Sequence, residues 1–153
     1  MEKPLVLLPV SAMPNVSIPL ESDRPKLHVL MVEDMPGDFE LVMETLGRSG
    51  LRISSRRVET EAELTLELER QPSPDLVMSD HACGMFDSFR ALARLRSCFL
   101  DVPFILVTGA LNGALMVEAL DHGVDDWVSK DRLSELLPAV LRALRLAQER
   151  RLR

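Results

Sequence analysis

Three carboxylates in this sequence stand where buried strands run out of apolar residues. Pro74-Asp75-Leu76-Val77-Met78-Ser79-Asp80 reads as a short buried strand that delivers Asp80 to its C-terminal end, ahead of a loop of small residues, His81-Ala82-Cys83-Gly84. Leu27 to Val32 ends the same way, in Glu33-Asp34. In an open α/β sheet such strand ends meet in one crevice. Carboxylates gathered there repel, and each raises the pKa of its neighbours unless a cation lies among them. Magnesium suits that need better than calcium in a closed cage, because it keeps several waters and leaves room for phosphate oxygens. Thr108, at the end of a fourth strand, and Lys130, just past a fifth, reach the same edge. A hydroxyl and an ammonium are what a transferred phosphoryl group needs once metal has taken its other oxygens. Any one of these residues alone reads as an ordinary loop residue; the five together point to phosphoryl chemistry.

An alternation of strands and helices is required to hold them there. After the strand Leu27–Val32, the residues Phe39, Val42, Met43 and Leu46 fall on one face of a helix, closed by Gly50. Arg52–Val58 is a weaker, polar strand suited to a sheet edge. Thr60 and Glu63 have capping-box spacing and predict a helix over Glu61–Arg70, although Leu64, Leu66 and Leu68 alternate as a strand would. Asp75–Ser79 follows, then a helix capped by Asp87 with Phe89, Leu92 and Ala93 inward. Val102–Val107 is the fourth strand, and Thr108-Gly109-Ala110 the loop after it. Asn112 caps a helix showing Leu115, Ala119 and Leu120, stopped by Gly123; Val124–Ser129 is the fifth strand. Leu133, Leu136, Leu137, Val140, Leu141 and Leu144 trace a last helical stripe, running to about Leu152, which tolerates Pro138 only if the helix starts late. Such alternation implies an α/β fold, a doubly wound five-stranded parallel sheet of order 2-1-3-4-5, flavodoxin-like, with its switch point between strands one and three.

At 153 residues the chain suits one domain with tails. We divide it into a Pro-rich extended arm (1–25), a body (26–147) and a basic helix end (148–153). No stretch approaches the roughly 20 apolar residues of a membrane span. Pro9 cuts the leading apolar run below the ~7 residues of a signal-peptide core, so a cytoplasmic location is expected. Cys83 and Cys98 form no CxxC pair and the histidines are scattered, which supports neither a disulfide framework nor a zinc site. The net charge is −6, yet residues 142–153 carry five Arg against Glu149, so the body is the acidic part. That balance argues against nucleic-acid binding by the fold itself. The last helix is open to three readings: a solvated tail, a homodimer contact, or a handle for a partner.

Over about Lys26 to Ala147 the sequence resembles the receiver domain of two-component response regulators. The motifs V-E-D, L-V-M-S-D, F-I-L-V-T-G-A and E-A-L-D-H-G-V-D-D-W-V-S-K occur in family order. The resemblance implies that Asp80 accepts a phosphoryl group from the phosphohistidine of a sensor histidine kinase or phosphotransfer protein. It also implies that Glu33, Asp34, Asp80 and the backbone carbonyl of Ala82 hold Mg²⁺, and that Thr108 and Lys130 bind the phosphoryl oxygens. Trp127 falls at the family's switch Tyr or Phe and would follow Thr108 inward. Such a protein is a regulatory phosphoacceptor, limited to self-catalysed phosphoryl uptake and loss; we expect it to be a stand-alone receiver acting on a downstream protein. Three departures stand out. Gly84 replaces a usual Pro and should loosen His81 to Met85, Asp131 replaces the cis Pro after the lysine, and Trp127 is bulkier than the usual ring. A phosphorylation-independent scaffold is the alternative, and a small-phosphoester hydrolase a more distant one.

Overall fold

A computed structural model describes residues 26–152 other than Met85. The expected arm, 1–25, and Arg153 lie outside the described residues. The sheet strands are β1 (Leu27–Val32), β2 (Ile53–Val58), β3 (Leu76–Ser79), β4 (Phe104–Thr108) and β5 (Asp126–Ser129). The helices are α1 (Pro36–Gly47), α2 (Glu61–Glu69), α3 (Ser88–Cys98), α4 (Gly113–His122) and α5 (Leu136–Leu152). All pairings of this five-stranded sheet are parallel, in the order β2-β1-β3-β4-β5. The order is the one the alternation implies.

The period-two side-chain rule explains the layers. Leu30, Val32, Val77, Phe104 and Leu106 face one core, shared with α2, α3 and α4; Val29, Met31, Met78, Ile105 and Val107 face the other, shared with α1 and α5. The central strands are apolar on both faces because both are covered by helices. β2 lies at one edge, with its serines and arginines half-buried or exposed. Within α2, Leu64 and Leu68 are buried while Leu66 is 64% exposed, so helical spacing prevails over the alternating pattern. Thr60 Oγ1 accepts from the Glu63 amide at 3.1 Å, and Glu63 reaches back to the amide of Glu59 at 3.2 Å. Among the described residues, no helix is long and apolar enough to cross a membrane.

Several expectations need correction. In α3 the buried apolar positions are Ala91, Leu92 and Leu95, and Ala93 is exposed, because each residue turns 100° and Ala93 rotates past the core-facing stripe. Leu120 leaves the core of α4 for the same reason, at 62% exposure. β4 begins after Val102 and Pro103, whose turn is held by Arg96 donating to the Val102 carbonyl, and it runs on to include Thr108. β5 begins after the left-handed Gly123 cap, where the Val124 amide closes on Ala119 O. The last helix does not start at Leu133: Lys130–Glu135 is a 3₁₀ segment broken at Arg132, and α5 starts at Leu136, leaving Pro138 in its first turn. Its buried stripe is Leu136, Ala139, Val140, Ala143, Leu144 and Ala147, with alanines allowing close approach to the sheet. Near its end Arg150 lies 3.5 Å from Asp125, so α5 follows the body at least that far.

Leu64→Ala should cost about 2–5 kcal/mol in urea unfolding and Leu66→Ala no more than about 0.5 kcal/mol. Equal losses would contradict the helical placement of α2.

Candidate functional site

Val32 pairs with Ser79 in the β1–β3 ladder, so Glu33 and Asp80 leave the sheet side by side, the Asp80 amide still donating to Val32 O at 3.0 Å. Glu33 has no solvent contact. Its amide donates to Val58 O (2.9 Å), Arg57 of β2 donates to its carbonyl (3.0 Å), and the Met35 amide donates to Oε2 (3.3 Å). Oε1 lies 2.6 Å from Lys130 Nζ, an ion pair without a counted hydrogen bond. Burial pushes the Glu33 carboxyl above the ordinary glutamate value, against the pull of Lys130 and the Met35 amide.

Thr108 pairs with Ser129 at the ends of β4 and β5, and Lys130 is the next residue. Ser129 Oγ accepts from the Asp131 amide (3.2 Å) and opens the 3₁₀ segment. The Lys130–Asp131 peptide is trans, since the cis bond among the described residues precedes Pro72. The lysine still reaches the crevice: Nζ donates to Asp38 Oδ2 (2.8 Å) and Asp80 Oδ2 (3.0 Å) besides pairing with Glu33. Burial alone would lower its pKa, but Asp38, Glu33 and Asp80 outweigh that and hold the ammonium above the ordinary lysine range.

Glu33, Asp34 and Asp80 each offer an oxygen within 4.8 Å of the others, close enough for one hard cation to bridge. Glu33 Oε1 supports that fit. It is buried and lacks a hydrogen bond, so the ammonium alone leaves it under-satisfied. Thr108 is 2% exposed, its Oγ1 accepting from the Ala110 amide at 3.2 Å. Trp127 packs half-buried against the core beneath α2, α3 and α4.

The loop after Asp80 carries several hydrogen bonds to its neighbours. The His81 amide donates to Asp80 Oδ1 (2.7 Å), the Ser88 amide donates to His81 O (2.8 Å), and His81 Nδ1 lies 2.8 Å from Ser88 Oγ. Ala82 and Cys83 pair with Asp87 and Phe86 in a short antiparallel ladder, while Gly84 takes the left-handed turn (φ +63°). The His81 ring meets Phe89 edge-on at 5.1 Å, so it faces α3.

Sequence reasoning missed Asp38 and Arg57. Asp38 lies in the first turn of α1, directly after the acidic strand end, which is the signal that could have found it. For Arg57 the only hint is its place near the C-terminal end of a polar edge strand.

The sequence matches the response regulator receiver domain over residues 29–142. The chain belongs to the response regulator receiver family. Among the relatives of this receiver, the transcriptional regulatory protein AfsQ1 of Streptomyces coelicolor is 30% identical over 122 residues, 80% of this chain and 52% of its own length. The receiver domain of a signal transduction histidine kinase from Syntrophus aciditrophicus is 29% identical with a TM-score of 0.59, covering 76% of this chain and 89% of that one. The receiver domain of a sensor histidine kinase from Pseudomonas aeruginosa PAO1, solved with magnesium coordinated in its active site cleft, has a TM-score of 0.66 at 22% identity, covering 78% and 98%. The chain spans about half or less of the curated relatives it matches. Membership makes it a regulatory domain of two-component signalling, and the acidic group is compatible with a divalent metal.

Lys130→Met should lower metal-free stability at pH 7 by about 3 kcal/mol, the scale of a buried charge left without its partner. A carboxyl with a higher pKa folded than unfolded favours the folded state as pH falls through that interval, so the loss should shrink on acidification. A loss that stays constant between about pH 5 and pH 8 in urea titrations would contradict the ion-pair assignment.

Proposed function

We propose that Asp80 is the phosphoacceptor of a two-component phosphorelay, and that its acyl phosphate alters the contacts of this receiver with a downstream protein. The observation that carries the reading is the convergence on one sheet edge of Asp80, an ammonium 3.0 Å from it, and three carboxylates each with an oxygen within 4.8 Å of the others. The donor is the phosphohistidine of a sensor histidine kinase or phosphotransfer protein. An Asp80 carboxylate oxygen attacks phosphorus; the new O–P bond forms as the P–N bond breaks, and the imidazole nitrogen leaves with the electron pair. Lys130 moves from the Asp80 carboxylate to a phosphoryl oxygen, and the Thr108 hydroxyl donates to another. Glu33, Asp34, Asp80 and the Ala82 carbonyl would hold Mg²⁺, which supplies neutralisation of the charge on the transferring oxygens. Attack of water on the same phosphorus returns Asp80 and inorganic phosphate, so the chemistry is self-catalysed uptake and loss.

Thr108 connects this site to the surface. Its hydroxyl accepts from Ala110 in the loop ahead of α4, and turning toward Asp80 breaks that bond. The face made by α4, β5 and α5 is then the one reshaped, with Trp127 as the ring that follows Thr108 or resists it. We take residues 26–147 as the receiver body and 148–153 as a basic end outside it, and we propose protein partners, not nucleic acid or membrane.

Incubation with Mg²⁺ and acetyl phosphate should add a single adduct of about 80 Da, the mass of one phosphoryl group, and Asp80→Asn should abolish it. No adduct on the wild type, or one that survives in the variant, would overturn the reading.

A further inference from the structure

Lys130 has three N–H donors and three carboxylate neighbours, and those neighbours are not equivalent. Glu33 and Asp80 belong to the group whose oxygens can bridge a cation; Asp38 does not. Asp38 also makes the shorter of the two hydrogen bonds from Nζ, 2.8 Å against 3.0 Å to Asp80. Its position on the first turn of α1 is fixed by the helix itself, with its amide donating to Met35 O at 3.1 Å. No side-chain cap is made at that helix start. An acid in a first turn commonly serves its own helix terminus; this carboxylate is turned instead onto a lysine 92 residues away in sequence.

Glu33, Asp34 and Asp80 would hold a cation with oxygens that Glu33 and Asp80 now turn toward Lys130. Of the three present anchors, Asp38 is then the one left with its charge uncommitted. A flexible four-carbon side chain without an anchor loses its orientation. We propose that Asp38 is a positioning residue for Lys130, the one that would hold its ammonium over Asp80 once metal has claimed oxygens of Glu33 and Asp80 and before a phosphoryl oxygen takes the ammonium. The inference rests on the reading of Asp80 as phosphoacceptor.

The test uses the full chain, whose lysines are Lys3, Lys26 and Lys130. Trace acylation with acetic anhydride, followed by peptide mass spectrometry, gives the labelling of Lys130 relative to exposed Lys26. In saturating Mg²⁺, Asp38→Ala should raise that ratio by roughly tenfold, the loss expected of one charge-assisted hydrogen bond. In EDTA, where Glu33 and Asp80 still hold the lysine, the rise should be no more than about twofold. Asp38→Glu should restore most of the protection. Phosphoryl uptake from acetyl phosphate should fall by roughly tenfold in Asp38→Ala, and the same change in a Lys130→Ala background should have no further effect. An equal rise in labelling with and without Mg²⁺, or no rise in either, overturns the assignment. So does an uptake defect that persists in the Lys130→Ala background. A wild type that takes up no phosphoryl group would defeat the phosphoacceptor reading, while the labelling ratios would still decide whether Asp38 anchors Lys130.

Discussion

Glu33 is a carboxylate cut off from solvent, and its charge has to be met inside the protein. An ion of that size costs several kcal/mol to bury, and the cost is offset only by close opposite charge and good hydrogen bonds. Lys130 provides the charge at 2.6 Å and the Met35 amide one hydrogen bond, while the second oxygen goes without one. Lys130 must at the same time serve Asp38 and Asp80. The crevice therefore holds more acid than one ammonium can neutralise, an arrangement compatible with a divalent cation.

The rest of the fold follows from the need to bring these groups to one edge. Parallel pairing puts the C-terminal ends of β1, β3, β4 and β5 on the same side, and the register sets Glu33 beside Asp80 and Lys130 just past Thr108. Helices on both faces exclude water from the strands, leaving the crevice at their ends as the polar opening. Arg57 ties the edge strand to the Glu33 carbonyl, so even the weakest strand helps to fix an acidic residue of the crevice.

The residues carried on strand ends were legible in the sequence because an apolar run that stops at an acid is a local signal. Glu33, Asp34 and Asp80 were readable in that way, Thr108 and Lys130 from their places at the ends of the fourth and fifth apolar runs, and the strand order from a polar second strand that belongs at an edge. Asp38 was not, because it reaches the crevice from a helix start, and its partner lies far along the chain. The inward faces of α3 and α4 were read one position too wide: Ala93 and Leu120 are apolar neighbours of core residues, and composition cannot show that 100° of rotation carries them to the surface. The anchoring of His81 by Ser88 depends on a contact between a loop and a helix cap, which no spacing rule encodes. The late start of α5, by contrast, was foreshadowed by Pro138.

The acids of this crevice should act together as a cation site beside Asp80. Calorimetric titration of the full chain with Mg²⁺, for the wild type and for Asp34→Asn, measures that directly. A single ion per chain, with binding lost in the variant, is the result the geometry requires. No binding to the wild type, or binding unchanged by Asp34→Asn, would contradict it.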